Sequence, residues 1–354
     1  MESTIGNGRQ VCVTGASGFI GAHVVKLLLQ RGYRVRGTVR DAGDGAKTDF
    51  LQQLAGGAPH PLELFSADLS GEGSFDEAIW GCELVCHVAS PIQQLAKDPQ
   101  REIVDPAVNG TLNVLRSVQR AGTVKRLALT SSMGAVLDLA RPADHRFTDQ
   151  DWNESATLKT SPYPLSKTLA ERAAWDFVDA LPEEQRFAMV ALHPAWVQGP
   201  ILTAAHANGS PSVIRDLLVR TFPACPRLHF GMVDVRDVAL AHALALENPQ
   251  ASGRYILIHE AMWMQQMARF IAGHFPDHPV PTRRLPDLLM YANALFDKRI
   301  TLRWARDYLG RTFDLDNSRS LEHLGLRYRP LEQTLLDACT SMVELGVAPP
   351  RKRG

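Results

Sequence analysis

Cysteine is scarce: 354 residues hold five, scattered at Cys12, Cys82, Cys86, Cys225 and Cys339. Such scatter argues against a disulfide framework and predicts buried thiols in a reducing compartment. Cys82 and Cys86 stand four apart, but no second Cys or His pair lies at zinc-ligand spacing, so no metal is expected. Long apolar runs are missing too. None reaches the roughly 18 residues of a membrane helix, and the polar residues 1–10 lack the apolar core of a signal peptide. The expectation is a cytoplasmic protein without membrane contact, in which the triplets at Asn109, Asn153 and Asn208 carry little weight as glycan sites. Net charge is absent as well. Lys plus Arg equals Asp plus Glu at 38 each, so no bulk field points to nucleic acid. Arg351 to Arg353 follow two prolines and read as solvated, within a flexible tail over 346–354.

What is present is an ordinary globular balance, 45% apolar and 21% charged. Short apolar runs alternate with amphipathic stretches, the pattern of a parallel sheet covered by helices. Strands are expected at 10–14, 33–39, 62–66, 84–88, 126–131 and 187–193, with helices at 23–31, 109–121 and 166–180 among them. Six parallel strands with helical crossovers describe an α/β, Rossmann-type doubly wound sheet. After Pro200 prolines and glycines cluster and the alternation weakens. The expected organisation is a nucleotide-binding domain over 1–199, rejoined by 231–250 with a helix at 233–247. A smaller substrate-binding region covers 200–230 and 251–345, with a strand at 254–258. The expected assembly is a monomer or homodimer.

The first strand runs into Thr14-Gly15-Ala16-Ser17-Gly18-Phe19-Ile20-Gly21, and a helix follows at once. Glycines spaced G-x-x-G-x-x-G make a tight turn, let backbone approach a pyrophosphate, and present helix N–H groups to it. The strand–turn–helix context gives the motif its weight. Gly15, Ser17, Gly18, Phe19, Ile20 and Gly21 are therefore cofactor-binding candidates. The second strand ends Thr38-Val39-Arg40-Asp41, where an NAD enzyme tends to place a carboxylate for the ribose. Arg40 can instead grip a 2′-phosphate bidentately, with Lys47 adding charge, so NADP(H) is the expected cofactor. Asp68 and Leu69 follow the third strand, where they can border an adenine. Val88, Ala89 and Ser90 follow the fourth, where small residues let the backbone lie against the cofactor.

Tyr163-Pro164-Leu165-Ser166-Lys167 supplies a Tyr and a Lys at i and i+4 near a helix start, on one face. Reducing a carbonyl requires a proton donor at its oxygen while hydride reaches the carbon. A free phenol, with a pKa of about 10, is a poor partner at neutral pH. An adjacent ammonium stabilises the phenolate and lowers that value. The fifth strand ends in Thr130-Ser131-Ser132, whose hydroxyls emerge at the same carboxyl edge. Ser132 is expected to orient the carbonyl and stabilise the developing alkoxide. Ser132, Tyr163 and Lys167 are the catalytic candidates, and Thr130, Tyr163 and Lys167 are counted with the cofactor-binding residues.

On TGASGFIG from Thr14, TSSMGAV from Thr130 and YPLSK from Tyr163, the chain resembles the extended short-chain dehydrogenases/reductases. GYRVRGTVRD from Gly32, ADLSGEGSFDEAIWGC from Ala67 and HVASP from His87 make it most similar to one branch of them. That branch holds the dihydroflavonol and cinnamoyl-CoA reductases and their microbial aldehyde and ketone reductase relatives. The likeness spans roughly residues 11–345, more weakly after Pro200. It implies that Ser132, Tyr163 and Lys167 form a catalytic triad, with Lys167 also holding the nicotinamide ribose. It further implies Arg40 and Lys47 at the 2′-phosphate, and Pro194 to Val197 along the nicotinamide. Asn109 either supports the site or caps a helix.

Two departures bear on substrate. TSPYPLSK stands in place of the NWYCY-type motif of plant cinnamoyl-CoA reductases, and Leu137 stands where dihydroflavonol reductases carry a substrate-contacting asparagine. Both favour a general aldehyde or ketone reductase acting on a small carbonyl or alcohol. Ser90, Ile92, Met133, Leu137, Trp196 and side chains from about 201–230 are expected to shape its pocket. The alternatives are an alcohol or hydroxysteroid dehydrogenase, a sugar-nucleotide epimerase, and a non-catalytic NADP sensor. Val39-Arg40 opposes the epimerase, and the joint presence of Ser132, Tyr163 and Lys167 opposes the sensor. His193 reads as packing or as support behind the site, and Trp263, Met264 and Met267 as a helix face on the core. Ser131-Ser132 lacks a G-x-S-x-G elbow, which disfavours a hydrolase.

Overall fold

The computed structural model describes residues 5–91, 96–295 and 301–350. Its main sheet holds β1 (Gln10–Thr14), β2 (Arg34–Val39), β3 (Leu62–Ser66), β4 (Leu84–His87), β5 (Arg126–Thr130), β7 (Ala188–Pro194) and β10 (Gly253–Leu257). These seven strands run parallel in the order β10-β7-β5-β4-β1-β2-β3. Smaller sheets pair β8 (Trp196–Gln198) and β11 (Glu260–Trp263) with β9 (His229–Asp234), and β6 (Arg146–Phe147) with β12 (Asp314–Leu315).

The side-chain period of two explains how the sheet is buried on both faces. Val11 and Val13 point into a core with Val24, Val25 and Leu28 of α1 (Phe19–Gln30), while Cys12 points the other way to join Val85, Val114 and Leu127. The first face also receives α7 (Val235–Glu247), packed against α1; the second receives α4 (Asp105–Ala121) and α5 (Pro162–Asp179). Connections along the chain include α2 (Gly45–Leu54), α3 (Asp76–Ile79) and α6 (Ser212–Leu218). A proline sits in the first turn of both α4 and α5, where no N–H is needed, and Gly122 at φ +64 ends α4. All five cysteines are free and buried. No helix among the described residues is long and apolar enough to cross a membrane.

The sheet has seven strands, one more than the sequence predicts. Residues 253–257, assigned to the substrate region, pair with β7 as a further parallel edge strand. The reason is tertiary: α7 returns the chain across the sheet, and Tyr255, Ile256 and Leu257 find a buried apolar surface there. Helix α5 also starts at Pro162, four residues before the predicted 166, so Tyr163 and Lys167 both lie in its first two turns.

Candidate active site

Because the main strands are all parallel, the residues that follow them share one edge. The strand order reverses between β1 and β4, and a cleft of about 990 Å³ lies there, where ligands of such sheets bind. Gly15 (φ +68) turns the chain out of β1, and a Cβ on it would stand 2.9 Å from the Ala89 Cα. A Cβ on Gly21 would fall on the Gly15 carbonyl oxygen. Thr14 draws the two strand ends together. Its hydroxyl accepts from the amides of Val88 (3.1 Å) and Ala89 (3.0 Å), which leaves its proton for His87 Nδ1 at 2.8 Å. Burial, reinforced by Lys167, pushes His87 down to about 3, so it is the neutral acceptor this bond requires. Helix α1 begins without a side-chain cap, and Ser17, Gly18, Phe19 and Ile20 line the cleft beside its unpaired first amides. A cradle that only glycine leaves open fits a dinucleotide pyrophosphate.

Arg40 stands exposed on the cleft wall, with no hydrogen bond or ion pair to another described residue. Lys47 also lines the cleft, but its Nζ lies 2.7 Å from Asp44 Oδ2, so its charge is shared. Asp68 accepts from the hydroxyl (2.5 Å) and amide (2.8 Å) of Ser70, which together with the nearby Arg40 hold its carboxyl below the usual range. Leu69 is fixed from α4: Asn113 Nδ2 donates to its carbonyl (3.2 Å) and to that of Gly71 (2.6 Å). Asn109 lies inside α4 and lines the cleft, so the helix-capping alternative falls away.

On α5, Lys167 sits one turn past Tyr163, its Nζ 5.7 Å from the phenol ring centroid. Lys167 is only 8% exposed, and its Nζ donates to Ser90 Oγ at 2.7 Å. Ser132 caps the short turn Met133–Ala135, and its Oγ accepts from the Gly134 amide (3.0 Å), with no acceptor for its own proton among the described residues. That turn packs on the start of α5, since a Cβ on Gly134 would meet the Pro164 Cα at 3.3 Å. Ser90 lines the cleft and holds Lys167, and the turn capped by Ser132 packs on the same helix start that carries Tyr163.

Other candidates stand differently. The Thr130 hydroxyl is taken by His242 Nε2 (2.7 Å), whose Nδ1 donates to the Val238 carbonyl (2.8 Å), so that side chain serves α7. Pro194 ends β7 in a buried position, and Val197, 5% exposed, packs within the core. Met133 and Leu137 pack against Val136, Phe147, Ile256 and Ile258, while Trp196 stacks on Phe230 at 4.5 Å. Ile92 lies outside the described residues.

Sequence reasoning missed a buried carboxylate behind the site. Glu171 accepts from Ser131, His193, Arg254 and Trp175. Burial alone would raise it; the interactions with His193 and Arg254 outweigh that and hold it at about 2. A signal existed, because Tyr163, Lys167 and Glu171 follow one another at four-residue spacing. No local signal could find Arg254, 83 residues away. Two histidines were also missed: His206 reaches the Ser17 carbonyl (3.1 Å) and His23 that of Pro200 (2.9 Å), tying the segment after β8 to the glycine turn.

A profile described as the 3-beta hydroxysteroid dehydrogenase/isomerase family matches residues 12–265. The chain belongs to that family. Cinnamoyl-CoA reductase CAD2 of Medicago truncatula is 39% identical over 352 residues, 97% of this chain and 98% of its own. Dihydroflavonol 4-reductase of Gerbera hybrida is 38% identical over 284 residues, 77% of this chain and 74% of its own. Among solved structures, yeast methylglyoxal/isovaleraldehyde reductase Gre2, complexed with NADPH, superposes with a TM-score of 0.77 at 28% identity, covering 95% of this chain and 98% of that one. The resemblance carried by TGASGFIG, TSSMGAV and YPLSK is thereby borne out.

Proposed function

We propose that this chain reduces an aldehyde or ketone to the alcohol with NADPH. It is an NADP-dependent oxidoreductase, as its family and its reductase relatives support. One observation carries the finer reading: Ser90, on the same cleft wall as Arg40, holds Lys167 one turn past Tyr163, while the turn that Ser132 caps packs on the start of that helix. The glycine cradle would hold the pyrophosphate, Arg40 the 2′-phosphate, and Lys167 the nicotinamide ribose. NADPH bound there supplies hydride to the carbonyl carbon. Tyr163 gives its proton to the carbonyl oxygen. The Ser132 proton hydrogen-bonds the same oxygen and stabilises charge as it develops. Lys167, nearly removed from water, stands one turn past Tyr163 on the same helix face. The start of α5 adds its positive dipole end beside Tyr163.

The substrate assigned is a small aldehyde or ketone. Trp196, two residues after Pro194, pairs with Phe230 at 4.5 Å, and Leu137 carries no polar group for a flavonoid. A panel of aldehydes, ketones and CoA thioesters, followed by loss of NADPH absorbance, tests this. Simple carbonyls should turn over and thioesters should not. Tyr163→Phe should lower kcat by about 10²- to 10⁴-fold with NADPH binding intact; an unchanged kcat removes Tyr163 as the proton donor.

A further inference from the structure

Glu171 is 1% exposed and lies one turn beyond Lys167 on α5. Its carboxylate accepts four hydrogen bonds. Oε2 takes Ser131 Oγ (2.6 Å) and His193 Nε2 (2.7 Å); Oε1 takes Arg254 Nε (2.7 Å) and Trp175 Nε1 (3.3 Å). The donors come from the end of β5, from β7, from β10 and from α5 itself. Ser131 is the neighbour of Ser132, and Glu171 shares its helix with Tyr163 and Lys167. One buried anion thus joins both halves of the site.

Lys167 has three N–H donors and is almost wholly buried, so each needs an acceptor. Ser90 Oγ takes one, and the nicotinamide ribose would take another. Lys167 and Glu171 both line a small cavity of about 20 Å³, together with Ser131 and Thr111. That is room for one water, which needs two to four polar partners. Both hydroxyls already donate, Ser131 to Glu171 and Thr111 to the Ala107 carbonyl (2.9 Å), so each retains a lone pair to accept.

We propose that Glu171 is a positioning residue for the reaction, acting on Lys167 through Ser131 and one water in this cavity. The ammonium donates to the water, the water to Ser131 Oγ, and Ser131 to Glu171 Oε2. This chain holds the ammonium against the phenol and ties Ser131, and with it Ser132, to the same helix. Arg254 keeps the carboxylate paired. It is itself held by the carbonyls of Asp149 (2.8 Å) and Asp151 (2.6 Å) and by the face of Trp152 at 3.8 Å. The inference rests on the carbonyl-reductase reading, which puts Lys167 at the reaction.

Glu171→Gln would leave Arg254 buried without its counter-charge and is expected to fold poorly. Ser131→Ala is the cleaner change, because it removes the link and leaves Glu171 with His193 and Arg254. Fluorescence titration should give full NADPH stoichiometry and a dissociation constant within about twofold of wild type. The kcat should fall about 10- to 100-fold, the scale of a small misplacement of reacting groups. The solvent deuterium isotope effect on kcat should rise as proton transfer becomes limiting. Wild-type kcat with a wild-type isotope effect overturns the proposal. So does a loss of kcat matched by an equal loss of NADPH stoichiometry, the mark of a purely structural role. A high-resolution crystal structure of the unaltered protein decides it without turnover. A water within hydrogen-bond reach of both Lys167 Nζ and Ser131 Oγ supports the link, and a dry cavity overturns it even where the carbonyl-reductase reading stands.

Discussion

Arg40 shows how much one side chain can decide. It follows β2, stands in water, and makes no hydrogen bond or ion pair with another described residue. Lys47 is the weaker candidate, because Asp44 already neutralises it. A guanidinium gripping a phosphate is worth roughly 1.5–3 kcal/mol as a charge-assisted contact. Arg40→Ala should therefore raise KM for NADPH about 10- to 100-fold and leave that for NADH within about threefold. Steady-state kinetics with both cofactors checks this, and equal losses would remove the phosphate grip. Arg40 was legible in the sequence because its role depends on one position, the end of a strand. Thr130 was legible only as a hydroxyl at a strand end; that His242 takes it depends on a helix 112 residues away.

Among the elements, the turn from β1 into α1 is the most constrained. Gly15 has a positive φ and touches Ala89, while Gly21 packs on the Gly15 carbonyl, so the two glycines are demanded by different contacts. Gly15→Ala would add left-handed strain of roughly 1–2 kcal/mol and collide with the turn after β4. The expected result is a thermal midpoint several degrees lower and NADPH affinity reduced at least about tenfold, read by thermal unfolding with and without cofactor. Helix α5 teaches the complementary lesson. Its period was readable, but it begins at Pro162 rather than at the predicted 166. Proline is tolerated in a first turn, and there it sets Tyr163 close to the helix N-terminus.

At the scale of the whole molecule, buried neutral histidines make stability depend on pH. Burial pushes His23 down to about 4, His242 to about 4 and His87 to about 3, against about 6.5 in an unfolded chain. Below about pH 6.5 the unfolded chain binds protons that the folded chain refuses, so stability is full above that value and is lost as pH falls toward 4. Once their folded values are passed, His23 and His242 each contribute roughly 3 kcal/mol to the loss and His87 roughly 5 kcal/mol. Glu171, held at about 2, extends the fall from roughly pH 4.3 downward. The thermal midpoint should be level near neutrality and drop steeply between about pH 6.5 and 4. A midpoint unchanged down to pH 4 would contradict the buried, neutral state of these side chains.

The sequence by itself determined the strand–turn–helix of the glycine motif, the first six parallel strands, the Arg40 strand end and the Tyr163–Lys167 pair. These are local: a period of two, a helical spacing of four, or a turn that only glycine can make. Tertiary structure alone decided that residues 253–257 close the sheet beside β7, and that Val197 is core. It also decided that Ser131, His193 and Arg254 converge on Glu171. Each of these depends on which distant segment supplies a hydrogen bond or an apolar surface. No periodicity along the chain encodes that choice, because it is made only when strands and helices from across the sequence compete for the same buried space.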